Sequence, residues 1–289
     1  MSRSIHLGIS TCPNDTFTFH ALMERKVDWR GLDFEVELLD VEELNRRLFA
    51  GEFDVAKASF HAALLLGNKL GVLPTGSALG FGVGPLLLAA REGMRPDETI
   101  VDARGAARPA RVLCPGAHTT ATLLYQLFHP GEGELQQVVF SEIMPSLQRG
   151  EAEFGVCIHE GRFTWRDERL ALVEDLGAVW EQATSAPLPL GGILARHALG
   201  SETLQKVQSV LRASLDYALA HRAETLPTLR RYAQEFSDEV LLAHVDLYVN
   251  PWTRDLGPTG RAALDQLADR AAAAGIIPPG LRRLEVFGV

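Results

Sequence analysis

The chain has 289 residues, 46% hydrophobic, 22% charged and 7% aromatic, a balance that excludes disordered, collagen-like and low-complexity classes and predicts a folded globular protein. With 28 Lys and Arg against 37 Asp and Glu, the formal net charge is -9, and no basic run forms a footprint for a phosphate backbone, so nucleic acid is excluded as an expected partner. The length exceeds the roughly 100–200 residues of an ordinary domain, so two domains or one large α/β unit is expected.

No apolar stretch approaches the roughly 20 residues that a bilayer span requires, and the first strand-like segment after Met1 is too short and too polar for the core of a secretion signal. Cys12, Cys114 and Cys157 are odd in number, widely spaced and without a CxxC pair, which speaks against a disulfide framework and a structural zinc. Together these features predict a cytoplasmic protein with no membrane insertion.

Taken in chain order, residues 5–10 read as a short apolar strand and 16–26 as a helix, and 34–38 alternate apolar and acidic residues as a half-buried strand does. Asp40 starts a helix, with Glu43 three residues on in the manner of a capping box and Gly51 as its left-handed stop. Residues 53–58 give a strand, 60–66 a buried helix and 83–90 a fully buried strand. From 91 to 111 the composition turns to Pro, Gly, Asp and Arg, which marks a surface excursion or a domain boundary.

A second set follows: strands at 111–114, 137–140, 154–158 and 170–173, with helices at 119–128 and 143–149. Residues 186–192, rich in Pro and Gly, break the chain again before a short buried strand at 193–195. Beyond residue 200, Leu204, Val207, Leu211, Leu215 and Leu219 form one apolar stripe at helical spacing, and further helices are expected at 237–249 and 259–274. The expected architecture is two α/β lobes joined by two crossings, 1–93 with 191–289 and 94–190, with the C-terminal helices packed on the first.

Four polar clusters share one address, the C-terminal end of a predicted strand, where open α/β sheets bind ligands. In Ser10-Thr11-Cys12-Pro13-Asn14-Asp15-Thr16, hydroxyl and amide groups suit a ligand, while Asp15 or Thr16 equally suits a helix cap. Lys57 and Ser59 end the third strand; a lysine there needs solvent, a carboxylate or a bound anion for its ammonium. Pro115-Gly116-Ala117-His118-Thr119-Thr120-Ala121 couples a strand to a helix start whose N–H groups favour an anion, and Thr119 also fits a plain N-cap. It lacks the P-loop pattern and its lysine. His159-Glu160-Gly161-Arg162 offers an imidazole suited to general-base work, or a structural histidine. No GxSxG, HExxH or GxGxxG at a strand-to-helix turn is present.

These residues, extended to Ser10-Thr11-Cys12-Pro13-Asn14-Asp15-Thr16-Phe17, Lys57-Ala58-Ser59, Gly116-Ala117-His118-Thr119-Thr120-Ala121, Ile158-His159-Glu160-Gly161-Arg162-Phe163-Thr164 and Pro187-Leu188-Pro189-Leu190-Gly191-Gly192, make the sequence similar to the 1,4-dihydroxy-6-naphthoate synthase (MqnD) family of the futalosine route to menaquinone. The resemblance runs over nearly the whole chain. It implies an α/β, two-lobed periplasmic-binding-protein-like fold of type II with two interlobe crossings and a cleft between the lobes, and a carbon–carbon lyase acting on cyclic dehypoxanthinyl futalosine, a carboxylated, sugar-derived small molecule. It implies His159 as general base, substrate contacts at Asn14, Lys57, Ala58, Ser59, Thr119, Thr120 and Ala121, and no cofactor or metal. The sequence departs from the family pattern at 94–111, at Thr11, where proline is expected, and at Trp165, where tyrosine is expected. Chorismate dehydratase of the same pathway and a non-catalytic solute-binding protein are the alternatives; Ile158-His159-Glu160 favours the naphthoate synthase over the first, and the expected lack of an export signal weighs against the second.

Overall fold

The computed structural model describes residues 3–67, 69–101, 105–159, 161–233, 237–278, 281 and 283–288. Its strands are β1 (Arg3–Ser10), β2 (Leu32–Leu39), β3 (Val55–Ser59), β4 (Leu70–Val72), β5 (Ala78–Gly80), β6 (Leu86–Ala89), β7 (Thr99–Val101), β8 (Ala107–Pro109), β9 (Arg111–Cys114), β10 (Glu134–Gln137), β11 (Phe154–Cys157), β12 (Ala171–Asp175) and β13 (Leu188–Arg196). The helices are α1 (Pro13–Met23), α2 (Val41–Ala50), α3 (Phe60–Leu66), α4 (Thr120–Phe128), α5 (Ile143–Gln148), α6 (Gly161–Thr164), α7 (Leu176–Thr184), α8 (Ser201–Ala220), α9 (Arg222–Tyr232), α10 (Asp238–Tyr248), α11 (Pro251–Arg254) and α12 (Gly257–Ala273). They divide into two compact units, Met1–Gly80 with Pro189–Val289, and Phe81–Leu188.

The first unit is built on a mixed sheet of order β2-β1-β3-β13-β4, with β5 also paired to β13. β1 lies parallel to both β2 and β3, while β13 runs antiparallel to β3 and β4. Alternation along β1 sends Ile5, Leu7 and Ile9 into one core with Phe19 and Leu22 of α1 and Val207 and Leu211 of α8. Burying each such side chain contributes about 1.5–3 kcal/mol. On the other face of β1 a side chain at Gly8 would put its Cβ 2.8 Å from Leu44, so glycine is what lets α2 pack there. α1 starts at Pro13, three residues before the sequence-based start, because proline at the first helical position gives up an N–H that has no intrahelical partner anyway.

Asp40 caps α2 by accepting from the Glu42 N–H, and Gly51 ends the helix at φ +76°. Glu43, expected to complete a capping box, turns instead to Arg46 at 2.6 Å. Of the apolar stripe beyond residue 200, Leu204, Val207, Leu211 and Leu215 are buried and Leu219 is exposed. α8, α9 and α10 pack against α1, so the C-terminal helices belong to the first unit.

The second unit holds a sheet of order β10-β9-β11-β6-β12, in which β10, β9 and β11 are parallel and β6 runs antiparallel to β11 and β12. This corrects the sequence-based boundary. Residues 81–93 were expected in the first lobe, but β6 pairs Leu87 with Val156 in the second sheet, so the chain leaves the first unit at Gly80 and returns at Pro189. The reason is physical: a crossing needs only one peptide link, whereas the polar stretch that suggested the boundary forms an exposed hairpin of β7 and β8. Among the described residues no helix is long and apolar enough to cross a membrane.

Candidate functional site

In the first unit, Lys57 lies on β3 and is buried, with its ammonium Nζ donating to Asp15 Oδ1 at 2.6 Å and to the Gly76 carbonyl at 3.4 Å. Asp15, in the first turn of α1, is 2% exposed. Its Oδ2 accepts from Ser10 Oγ at 2.6 Å and its Oδ1 from Asn14 Nδ2 at 2.9 Å. A charge removed from water this far needs an opposite charge and further hydrogen bonds, and this cluster supplies both. The capping role considered for Asp15 and Thr16 is therefore not what they perform: α1 has no side-chain N-cap, and Thr16 Oγ1 donates back to the Cys12 carbonyl.

β1 and β3 are parallel neighbours, so their ends bring Ser10, Asn14 and Lys57 together with Ala58 and Ser59. Ser59 donates its N–H to Asn45 Oδ1 at 3.0 Å and accepts from Asn45 Nδ2 at 3.3 Å. Across the ladder, Gly191 faces Ser59 and Gly192 faces Ala58. A Cβ at Gly191 would lie 2.6 Å from the Ala58 carbonyl, and one at Gly192 would lie 3.0 Å from Ser77 Oγ. That hydroxyl is buried with no hydrogen-bond partner among the described residues.

In the second unit, β9 ends at Cys114 and turns through Gly116, at φ +125°, into α4. The Gly116 N–H donates to Gln137 Oε1 at 3.1 Å, and its carbonyl accepts from Thr119 Oγ1 at 2.9 Å and Thr122 Oγ1 at 2.7 Å. Thr119 is the N-cap, accepting from the Thr122 N–H, so its hydroxyl orders the helix start. Thr120 and Ala121 are the first two helical residues, whose N–H groups point along the axis out of the helix end, with the positive end of its dipole. Burial pushes the Cys114 thiol up to about 12, against a smaller opposing effect of the Thr122 hydrogen bond, so it stays protonated and unreactive. Cys157 packs in the core of this unit.

β11 is hydrogen-bonded to β9 in parallel, so its end lies at the same edge of the sheet as the Gly116–Ala121 turn. His159 follows there, half-buried, with its ring edge-on to Phe140 at 4.9 Å. Its backbone is left-handed, φ +53°, a region that non-glycine residues seldom enter and that functional turns often hold. Glu160 of the motif lies outside the described residues. Beyond it, Arg162 sends Nη1 to the Gly84 carbonyl at 3.1 Å and Nη2 to Asp175 Oδ2 at 2.7 Å.

The expected site residues thus fall into two groups, Asn14, Lys57, Ala58 and Ser59 in the first unit and Thr119, Thr120, Ala121 and His159 in the second. Sequence reasoning missed Asp15 as the partner of Lys57, and it missed Asn45, Ser77, Gln137, Phe140 and Asp175 as neighbours of the two groups. Asn45 and Gln137 carry no local signal, since each acts across a sheet edge on a residue 14 or 21 positions away. Among the described residues no three His, Cys, Asp or Glu side chains gather as a metal site would require.

Paired sheets of this topology define a periplasmic-binding-protein-like fold. The alkanesulfonate-binding protein SsuA of Xanthomonas axonopodis pv. citri is similar with a TM-score of 0.68 at 13% identity, over 98% of this chain and 96% of that one. A crystal structure of a protein from Archaeoglobus fulgidus is similar with a TM-score of 0.87 at 31% identity, over 95% and 98%. The family model described as menaquinone biosynthesis matches residues 5–273, and the chain belongs to that family. It is 41% identical to a 1,4-dihydroxy-6-naphthoate synthase of Thermus thermophilus, over 98% of this chain and 99% of that one. The enzyme of the same name from Streptomyces coelicolor is 36% identical over 95% of each chain. The resemblance read from the strand-end motifs is borne out, and the two relatives carry the name of the naphthoate synthase, not that of the dehydratase.

Proposed function

We propose that this protein is a carbon–carbon lyase of menaquinone biosynthesis that converts cyclic dehypoxanthinyl futalosine to 1,4-dihydroxy-6-naphthoate, with His159 as general base. The observation that supports this most is the left-handed turn at His159, on the same sheet edge as the turn into α4, in a chain 41% identical over 288 residues to an enzyme named for that product. The base takes a hydroxyl proton from the sugar-derived part, and the electron pair left on oxygen forms a carbonyl as the adjacent carbon–carbon bond breaks. The pair of the broken bond passes into the ring fragment, while the sugar-derived part leaves as the carbonyl compound. The fused ring becomes aromatic, which drives the step. Thr120 and Ala121 offer backbone N–H donors suited to a carboxylate, on a helix start that Thr119 orders. In the first unit, Asn14, Lys57, Ala58 and Ser59 are assigned to substrate contacts.

Incubating the purified protein with cyclic dehypoxanthinyl futalosine and following the naphthoate by mass spectrometry tests the reaction. His159→Asn keeps size and polarity while removing the basic nitrogen, so kcat is expected to fall roughly 100-fold or more with ligand binding retained. Because an imidazole base must be unprotonated, wild-type kcat falls on acidification. A folded Asn variant with near-wild-type turnover overturns the assignment of the base.

A further inference from the structure

The reading of His159 as the base raises the question of what holds it in place, since a left-handed backbone at a non-glycine residue is strained and persists only where the surroundings over-determine it. Within the turn itself the Gly161 N–H donates to the Ile158 carbonyl at 3.1 Å and the Arg162 N–H to the His159 carbonyl at 3.3 Å, and Phe140 packs on the imidazole. Arg162 is the residue that carries this turn outward. Its guanidinium is half-buried and spans two fixed acceptors, the Gly84 carbonyl and Asp175 Oδ2.

Those acceptors are themselves immobilised. Asp175 caps α7 by accepting from the Gly177 and Ala178 N–H groups at 3.0 and 3.1 Å. Gly177 in turn lies so close to the Val83 carbonyl that a Cβ there would sit 1.9 Å from it, which locks the start of α7 against the backbone preceding Gly84. One guanidinium therefore clamps the histidine turn to two segments that cannot shift independently. We infer that Arg162 is a positioning residue for His159, acting through its clamp on Gly84 and Asp175 and not through the substrate. This rests on His159 being the base. A fork is needed for the task, because an ammonium presents one point of charge and cannot span both acceptors in fixed geometry.

The test is a double-mutant cycle of Arg162→Met and His159→Asn with two further variants. Arg162→Met is expected to lower kcat about 10- to 100-fold, the scale of a misplaced catalytic group, with KM and product affinity by calorimetry within about twofold of wild type. Arg162→Lys restores little, and Asp175→Asn, which keeps the Oδ1 cap acceptor on α7 but removes the charge and puts an amide donor where Oδ2 accepted from Arg162, reproduces part of the loss. In a His159→Asn background, Arg162→Met causes no further loss, since a positioning residue has nothing left to position. Full additivity in that background, a parallel rise in KM, or unchanged kcat in Arg162→Met each overturns the proposal. If Arg162→Met does not fold, Arg162→Lys and Asp175→Asn carry the same cycle. If His159→Asn alone retains turnover, it is the assignment of the base that fails, a distinct outcome.

Discussion

The Lys57 and Asp15 side chains illustrate how a buried ion pair constrains the residues around it. Removing one partner leaves the other charge buried without its counter-charge, which costs about 3–5 kcal/mol, while removing both can be nearly neutral. Lys57→Met is therefore expected to destabilise the protein by about that amount in denaturant unfolding, and Lys57→Met combined with Asp15→Asn to lose distinctly less. A double variant that loses the sum of the singles would show that the pair is not a coupled unit. The thiols give a second check at this scale. Cys114, held protonated by burial, is expected to resist iodoacetamide at pH 8 in the native protein and to react once unfolded, as mass mapping would record. The candidate positions were legible because Asn14, Thr119 and His159 lie where a strand gives way to a helix and Lys57 lies two residues before the end of β3. The pairing of Lys57 with Asp15 was not, as 42 residues separate them and only the parallel alignment of β1 with β3 brings them into reach. Nor was the conformation of His159, because nothing in a histidine announces a positive φ.

Between elements, charge and close approach decide the fit. Glu37 of β2 accepts from Arg47 of α2 at 2.5 Å and lies 2.7 Å from His6 Nε2 of β1; the Arg47 hydrogen bonds, then that of His6, hold its carboxyl down to about 2. A carboxyl with a depressed folded-state value adds stability above its ordinary range near 4.5, and that contribution is lost as pH falls toward 2. Glu37→Gln should flatten this part of the acid-unfolding profile while leaving neutral stability only slightly changed, given the half-exposed setting. Gly177→Ala tests the close crossing at Val83: with a Cβ 1.9 Å from a backbone oxygen, α7 must shift, and melting should drop steeply or folding fail. Periodicity found the long elements, α8 and α12 among them. It passed over α9, whose Pro227 reads as a helix breaker yet lies inside the helix, and α7, whose start is set by an Asp175 cap reaching from the end of a strand. β6 was recognised as a buried strand but given to the wrong unit, since four apolar residues say how deep a strand lies and not which sheet receives it.

At the scale of the whole molecule, the first and last thirds of the chain build one unit and share a core. Phe287, 6% exposed, packs in the β1 core, its N–H donating to the Val72 carbonyl at 2.9 Å, and its ring fills the space that a side chain at Gly71 would need. Phe287→Ala is expected to cost about 3–5 kcal/mol in equilibrium unfolding.

The first sheet also seats β13 between β3 and β4, and β13 emerges only after all of Phe81–Leu188 has been made. On the ribosome, β1, β2 and β3 must therefore wait with an open edge, exposed to the aggregation that unpaired strands invite, while the uninterrupted second unit has everything it needs to fold first. Nascent chains arrested shortly after residue 188 clears the exit tunnel should accordingly yield a protease-resistant fragment from the middle of the sequence, with the N-terminal strands still cleavable and dependent on chaperones. The expected order of assembly during synthesis is thus the reverse of the order in which the two units begin.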